Sequence, residues 1–358
     1  MESPMSLEQT INSQKFDFTG SAKEWFGIWI VNLLLSIITI GIYSAWAKVR
    51  AKKYFYNNTH MEGRNFDYHA TGGQILKGRL IVIAAIVVFQ IIVTLMPILG
   101  LILLLGLIVL YPWLLTRALM FNAGMSTYSN VRFRFVGTTT RAFVVFVVYP
   151  ILCLLTLYTT APILDRTVKK FSINNHHLGT AAFDMDAPIS AFYKAAGVAV
   201  LWIVAVFLVG ALTMGFSLTA LGGAAIEMDN DPNAAVGAIA IFYLVFFIGF
   251  IPAAVIYQAM TRNAIYNGTT LDGGHCLTSN VSAPQLFWIA ISNLVVVVCT
   301  LGLMLPWAQI RIARYLADHT GVVLGSSVDD FIGTQQEEMS ALGDAYSDIE
   351  GIDLGLPI

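Results

Sequence analysis

Two asparagines and three threonines stand inside long apolar runs, where a polar side chain needs a reason. Asn32 interrupts the run Trp25–Trp46, and Asn293 interrupts a later run ending at Trp307. Thr39, Thr156 and Thr300 fall in similar settings. An amide surrounded by hydrocarbon must find a hydrogen-bond partner. These five are therefore the expected binding residues for a polar solute. Their plainer use is interhelical hydrogen bonding, worth roughly 0.6–2 kcal/mol each in model systems.

A second set pairs an indole with a guanidinium. Trp46 and Arg50, Trp113 and Arg117, and Trp307 and Arg311 each stand four residues apart, which places both groups on one helix face. Beside the first pair lie Lys52 and Lys53. Such pairs suit the membrane surface, with tryptophan in the headgroup layer and arginine reaching toward anionic lipid or an anionic solute. The six histidines, among them His60, His177 and the His275–Cys276 pair, match no zinc-ligand spacing. The sequence has no Walker loop, dinucleotide fingerprint, nucleophile elbow or His-Glu-x-x-His. No enzyme activity, cofactor or metal is expected, and the short basic loops do not suggest nucleic-acid binding.

The elements that must carry these residues follow from composition. Of 358 residues, 57% are hydrophobic and 12% charged, against about 25% charged in soluble domains. Apolar runs at about 25–46, 80–96, 98–116, 142–164, 195–216, 236–260 and 286–308 are long enough to be read as spans. The expected fold is all-α, a polytopic membrane protein of about seven transmembrane helices in repeated units. Short surface β-hairpins decorate it, one at Asn58–Tyr68 with a turn at Glu62-Gly63, and Phe16–Gly20 reads as a short strand or extended arm leading into a helix. The lipid bilayer is the expected partner, with anionic lipids at the basic steps.

The chain also matches itself. One constant shift lays Phe16, Phe18, Lys52, Lys53, His60 and Phe66 on Phe133, Phe135, Lys169, Lys170, His177 and Phe183. A larger shift lays Asn32, Thr39, Trp46, Arg50 and Tyr54 on Asn293, Thr300, Trp307, Arg311 and Tyr315. The expected organisation is a polar arm (1–24), a transmembrane domain (25–317) and an acidic, solvated tail (318–358). Within the transmembrane domain, three-span units cover about 16–132 and 133–275, with a half-unit at 276–317. Units with an odd number of spans would be inverted relative to one another, as in many transporters. Basic loops after the first and third spans would face the cytoplasm, with the N-terminus outside and the tail inside.

The segments Phe16-Asp-Phe-Thr-Gly20, Gly41-Ile-Tyr-Ser-Ala-Trp-Ala-Lys48-Val-Arg50 and Asn58-Thr…Glu62-Gly63…Phe66-Asp-Tyr-His69 resemble the YjgN family of bacterial inner-membrane proteins, a domain of unknown function. The resemblance runs to Ile352-Asp-Leu-Gly355-Leu. It implies a multi-pass protein of the bacterial inner membrane and brings no catalytic residue. Two functions fit: a solute transporter or channel working through the repeat interface, or a membrane-organising protein that binds lipid or a partner without transport.

Overall fold

The computed structural model describes residues 13–220 and 232–350. The acidic stretch with Glu227, Asp229 and Asp231, the first residues of the polar arm and the family-like end at Ile352–Leu356 lie outside the described residues.

The expected all-α fold is overturned. Ten short strands close into one antiparallel barrel, each paired with its neighbours all the way round. In chain order they are β1 (Ser13–Phe18), β2 (Thr59–Met61), β3 (Arg64–Tyr68), β4 (Ser126–Tyr128), β5 (Val131–Phe135), β6 (His176–Leu178), β7 (Ala181–Met185), β8 (Thr269–Leu271), β9 (His275–Ser279) and β10 (Thr320–Val323). The Phe16–Phe18 strand and the Asn58–Tyr68 hairpin are present as staves of this barrel. β2–β3, β4–β5, β6–β7 and β8–β9 are tight hairpins. Three turns are two-residue loops with left-handed backbone at Glu62-Gly63, Ser129-Asn130 and Gly179, the conformation that matches strand twist, and the three-residue β8–β9 turn is left-handed at Gly273-Gly274. β1 and β10 close the ring.

Each remaining connection is a pair of packed helices. They are α1 (Ala22–Ile38) with α2 (Ser44–Asn57), α3 (Gly72–Leu95) with α4 (Pro97–Gly124), α5 (Thr139–Leu155) with α6 (Ala161–Asn174), α7 (Ile189–Ala220) with α8 (Pro232–Asn267), and α9 (Ala283–Cys299) with α10 (Leu305–Asp318). A π-helical turn at Val144–Val148 interrupts α5. In an up-and-down barrel, connections alternate between the two ends. Every helical pair therefore leaves one mouth, and every tight turn sits at the other. The pairs also pack side by side, α2 on α3, α4 on α5, α6 on α7, α8 on α9 and α10 on α1, so the helices form a closed ring above the barrel.

Three helices among the described residues are long and apolar enough to cross a membrane: Gly72–Leu95, Pro97–Gly124 and Ile189–Leu212. The runs expected as the first, fourth and last of seven spans are not spans. α1 and α9 have 17 residues each, about 25 Å at 1.5 Å per residue, short of a core of about 30 Å. Left-handed pairs then reverse the chain: Ile40-Gly41 after α1, Leu157-Tyr158 after α5, Leu301-Gly302 after α9. Apolar residues continue through each reversal, so hydropathy alone reads one helix where there are two. Units inverted relative to one another are also excluded. His60 and His177 stand at corresponding rungs, Asp17↔His60 and Arg134↔His177, in strands that run the same way from helix to tight turn.

Strand alternation sends apolar residues inward and polar ones outward. The rungs Phe16↔Met61, Phe66↔Tyr128, Phe133↔Leu178, Phe183↔Leu271 and Leu277↔Val322 form one level of the lumen. The rings of Phe16 and Phe66, Phe66 and Phe133, and Phe133 and Phe183 lie 6.1, 6.4 and 6.4 Å apart. Aromatic pairs at such spacing contribute about 0.5–1.5 kcal/mol beyond their buried area. Outward neighbours are Asp17, His60, Asp67, Arg134, His177 and Asp184.

A last helix, α11 (Val328–Glu350), lies over the tight-turn mouth. The segment expected as solvated tail thus includes a docked helix. Val328 and Ile332 are buried against Tyr128, Val131 and Leu178. The Gln335 Oε1 accepts hydrogen bonds from Thr180 N at 2.7 Å and Ala181 N at 3.2 Å, serving backbone donors of the β6–β7 turn. Arg64 pairs with Asp329. That aspartate is 81% exposed, so apolar burial and Gln335 hold the helix more than the ion pair does.

Candidate functional site at the membrane mouth of the barrel

The three expected threonines occupy the hairpin reversals. Thr39 Oγ1 donates to Leu35 O at 2.7 Å and accepts from Tyr43 N at 2.9 Å. Thr300 does the same with Val296 O at 2.7 Å and Met304 N at 3.2 Å. Thr156 donates to Leu152 O at 2.9 Å and bonds Thr160 at 2.7 Å. Each hydroxyl thus satisfies the end of one helix and, in the first and third reversals, the start of the next. Their hydrogen-bonding capacity goes to the turn.

Asn32 and Asn293 are both buried, and no hydrogen bond joins them among the described residues. Asn293 faces its own partner helix. Its Nδ2 donates to Ala308 O at 3.2 Å, and its Oδ1 accepts from Arg311 at 3.1 Å. The Asn32 Oδ1 is buried without a partner among the described residues, and Arg50, the counterpart of Arg311, is exposed.

The Trp–Arg steps divide in the same way. Arg117 stacks at 5.7 Å over Trp113, exposed to the surroundings. Trp46 stacks on Tyr43 and packs so closely on Gly72 that a Cβ there would lie 2.4 Å from the indole. Lys53 is exposed, whereas Lys52 turns inward and donates to Asn122 Oδ1 at 2.7 Å. The third step is built into a site. Arg311 lies 5.3 Å from the Trp307 ring and donates to Ser292 Oγ at 2.6 Å as well as to Asn293. Those bonds fix the guanidinium and leave its other N–H groups unspent among the described residues.

Around Arg311 opens a groove of about 480 Å³ between α9, α10 and the start of α1, lined by Gln285, Trp307, Arg311, Arg314, Asp318 and His319. Arg314 reaches across it to Gly20 O at 3.0 Å, and Trp25 Nε1 donates to Gln309 Oε1 at 2.6 Å, joining the same helices. Sequence reasoning missed Arg314 and Gln285. Arg314 follows Arg311 by three residues, a helical-face spacing that could have flagged it. The groove's two arginines outnumber its one carboxylate, and guanidinium forks match carboxylate or phosphate oxygens in pairs.

A second cavity lies at the membrane end of the lumen. It measures about 400 Å³ and is walled by Tyr56, Thr59, Asn122, Ser126 and His176 over Phe16, Phe66 and Phe133. Burial holds the His176 imidazole below its usual range, partly offset by its bond to Ser172 O. Below the phenylalanines, a mainly apolar space of about 190 Å³, lined also by His275, reaches Val328 and Phe331 of α11.

With this geometry in place, comparison with known proteins decides the family. Residues 13–349 match the family described as "Bacterial protein of unknown function (DUF898)". The chain belongs to this family. It is 26% identical over 348 residues to inner membrane protein YjgN of Salmonella typhimurium, covering 85% of this chain and 87% of that protein. Inner membrane protein YjgN of Escherichia coli O157:H7 is 40% identical over 76 residues, 21% of this chain and 19% of that one. The K12 protein of the same name matches to the same extent. No solved structure matches the chain. The resemblance read from Phe16–Gly20, Gly41–Arg50 and Asn58–His69 is thus a family relationship over nearly the whole DUF898 chain. With three apolar helices of spanning length, this DUF898 protein is a membrane protein.

Proposed function

We propose that this is a multi-pass protein of the bacterial inner membrane that rests its barrel on the cytoplasmic surface and binds anionic lipid headgroups there. The observation that carries this reading is the placement of charge. Every one of the 20 Lys and Arg residues lies in a strand or within about three helical turns of the barrel mouth, and the described hairpin tips have none. The tips are apolar instead: Ile40 and Leu301 are each 94% exposed. Such a body suits a surface that is oily in depth and negative at the face. By the same rule the barrel and both ends of the described chain lie in the cytoplasm. The inner-membrane names of the relatives support the location.

The Arg311–Arg314 groove is the headgroup site in this reading, with Trp307 in the interfacial layer. Solute transport, the other function expected from the sequence, fits less well, because the barrel axis is closed by apolar side chains and by α11.

The test is native mass spectrometry of the protein extracted with its lipids. The wild type should retain anionic phospholipid in preference to zwitterionic lipid. Each basic residue near such a surface contributes about 1 kcal/mol, so Arg311→Gln with Arg314→Gln should weaken retention by roughly tenfold or more. Equal retention by the double variant would contradict the site, and solute flux through reconstituted wild-type protein would contradict the reading.

A further inference from the structure

The barrel lumen holds two spaces that share a wall. Phe16, Phe66 and Phe133 line both the 400 Å³ cavity at the membrane mouth and the 190 Å³ space below it. Phe183, Leu271, Leu277 and Val322 enclose the lower space. An apolar cavity of about 150 Å³ stays dry and takes up a small hydrocarbon, so the lower space suits a hydrocarbon chain better than water. The inside of a small barrel is also where one small ligand can be held.

The upper space has a polar rim without a formal charge: no Lys, Arg, Asp or Glu is among the residues lining it. Most of its donors are already spent. Asn122 accepts from Lys52 Nζ at 2.7 Å and donates through Nδ2 to Ala118 O at 2.8 Å. Ser126 Oγ donates to Asn122 O at 2.9 Å, and Thr59 Oγ1 to Phe55 O at 2.8 Å. Both hydroxyls keep lone pairs with which to accept. His176 Nδ1 lies 2.6 Å from Ser172 O. A carbonyl cannot donate, so in the neutral ring that nitrogen carries the proton and Nε2 is an acceptor, without a partner among the described residues. Burial favours the neutral ring. The Tyr56 O–H has no acceptor nearer than Ser126 Oγ at 3.4 Å among the described residues, a long distance for a hydroxyl pair. Ser126, Thr59 and His176 thus remain as acceptors, and Tyr56 as a donor.

A head that fits this rim must donate as well as accept. An anion has no proton to give. An ammonium would approach the Lys52 cation that stands behind Asn122, and like charges repel. A hydroxyl meets both demands. The geometry points to a single-chain lipid with a neutral hydroxyl head, a long-chain alcohol or a monoacylglycerol, its head among Tyr56, Ser126 and His176 and its chain past Phe16, Phe66 and Phe133 in the lower space. This site is separate from the Arg311 groove, which lies between other helices.

The experiment is photolabelling of the full chain, in nanodiscs of zwitterionic lipid, with dodecan-1-ol carrying a diazirine at the end of its chain. Cross-links should fall in the lumen, near Phe183, Leu271 or Leu277. Unlabelled dodecan-1-ol or 1-dodecanoylglycerol should compete, and the better competitor identifies the head. Dodecyl methyl ether, which can only accept, and dodecane-1-sulfonate, a charged acceptor, should each compete about tenfold less well. Tyr56→Phe should weaken labelling about fivefold, as expected for one hydrogen bond, and the Arg311→Gln, Arg314→Gln protein should label as wild type. The competition series needs only the wild type, so it decides the matter if Tyr56→Phe does not fold. Cross-links confined to the membrane helices, competition by the ether or the sulfonate as strong as by the alcohol, or unchanged labelling of a folded Tyr56→Phe protein would each overturn the proposal.

Discussion

At the scale of single residues, this protein uses polar side chains mainly to close its own structure. The threonines at the hairpin reversals, Asn293 beneath Arg311 and Gln335 beneath the β6–β7 turn all serve groups that folding would otherwise leave unpaired. His275, like Asn32, is an exception. It is buried, its Nε2 has no partner among the described residues, and its ring meets the edge of Phe331 on α11 at 4.7 Å. Burial pushes its pKa below the usual 6.5, and His176 shifts the same way. A histidine whose folded pKa is depressed is more readily protonated in the unfolded chain, so stability is full above the unfolded value and falls as pH drops below about 6.5. The unfolding midpoint of the purified protein should therefore fall between pH 7.5 and 5.5. His275→Gln should flatten that dependence. A midpoint that rises on acidification would show that these imidazoles are not buried in the neutral form.

Elements carry the next lesson, and here the sequence was partly legible. The Phe-x-Phe strand, the Glu62-Gly63 turn and the recurrence of Phe16, Phe66, Phe133 and Phe183 were visible as patterns of period two and as repeated spacings. Their joint meaning was not, because strands of three to six residues gain their stability from neighbours far away in the chain. The half-length hairpins were hidden for a different reason. Ile40-Gly41 and Leu301-Gly302 reverse the chain without a charge or a proline, so an apolar run shows no break. The steps Trp46–Arg50, Trp113–Arg117 and Trp307–Arg311 were legible as motifs, but only the third is fixed by neighbouring acceptors, through Ser292 and Asn293, which spacing could not reveal. If these hairpins dip into the bilayer, a charge at the tip is costly, about 2.5–3.5 kcal/mol at full depth and less near the surface. Leu301→Lys should lower the thermal midpoint in nanodiscs more than Leu301→Met does. Equal midpoints would place the tip in water.

As a whole, the described molecule is a barrel with its five helical pairs on one end. That arrangement collects most of the basic residues around one mouth, turns the apolar tips away from it and leaves α11 to cover the other mouth, where Arg64 meets Asp329. It also reverses the topology expected from seven spans, in which His60 and His177 would face opposite sides of the membrane. The direct measurement is thiol labelling of intact cells. Cys153, Cys276 and Cys299 are replaced, and single cysteines are placed at His60, at His177 and at Met96, the tip between α3 and α4. A membrane-impermeant reagent should label position 96 from outside. Positions 60 and 177 should react only after the cells are opened. Labelling of 177 but not 60 in intact cells would contradict the barrel with one-sided helices, and labelling of both from outside would place the barrel on the wrong face of the membrane.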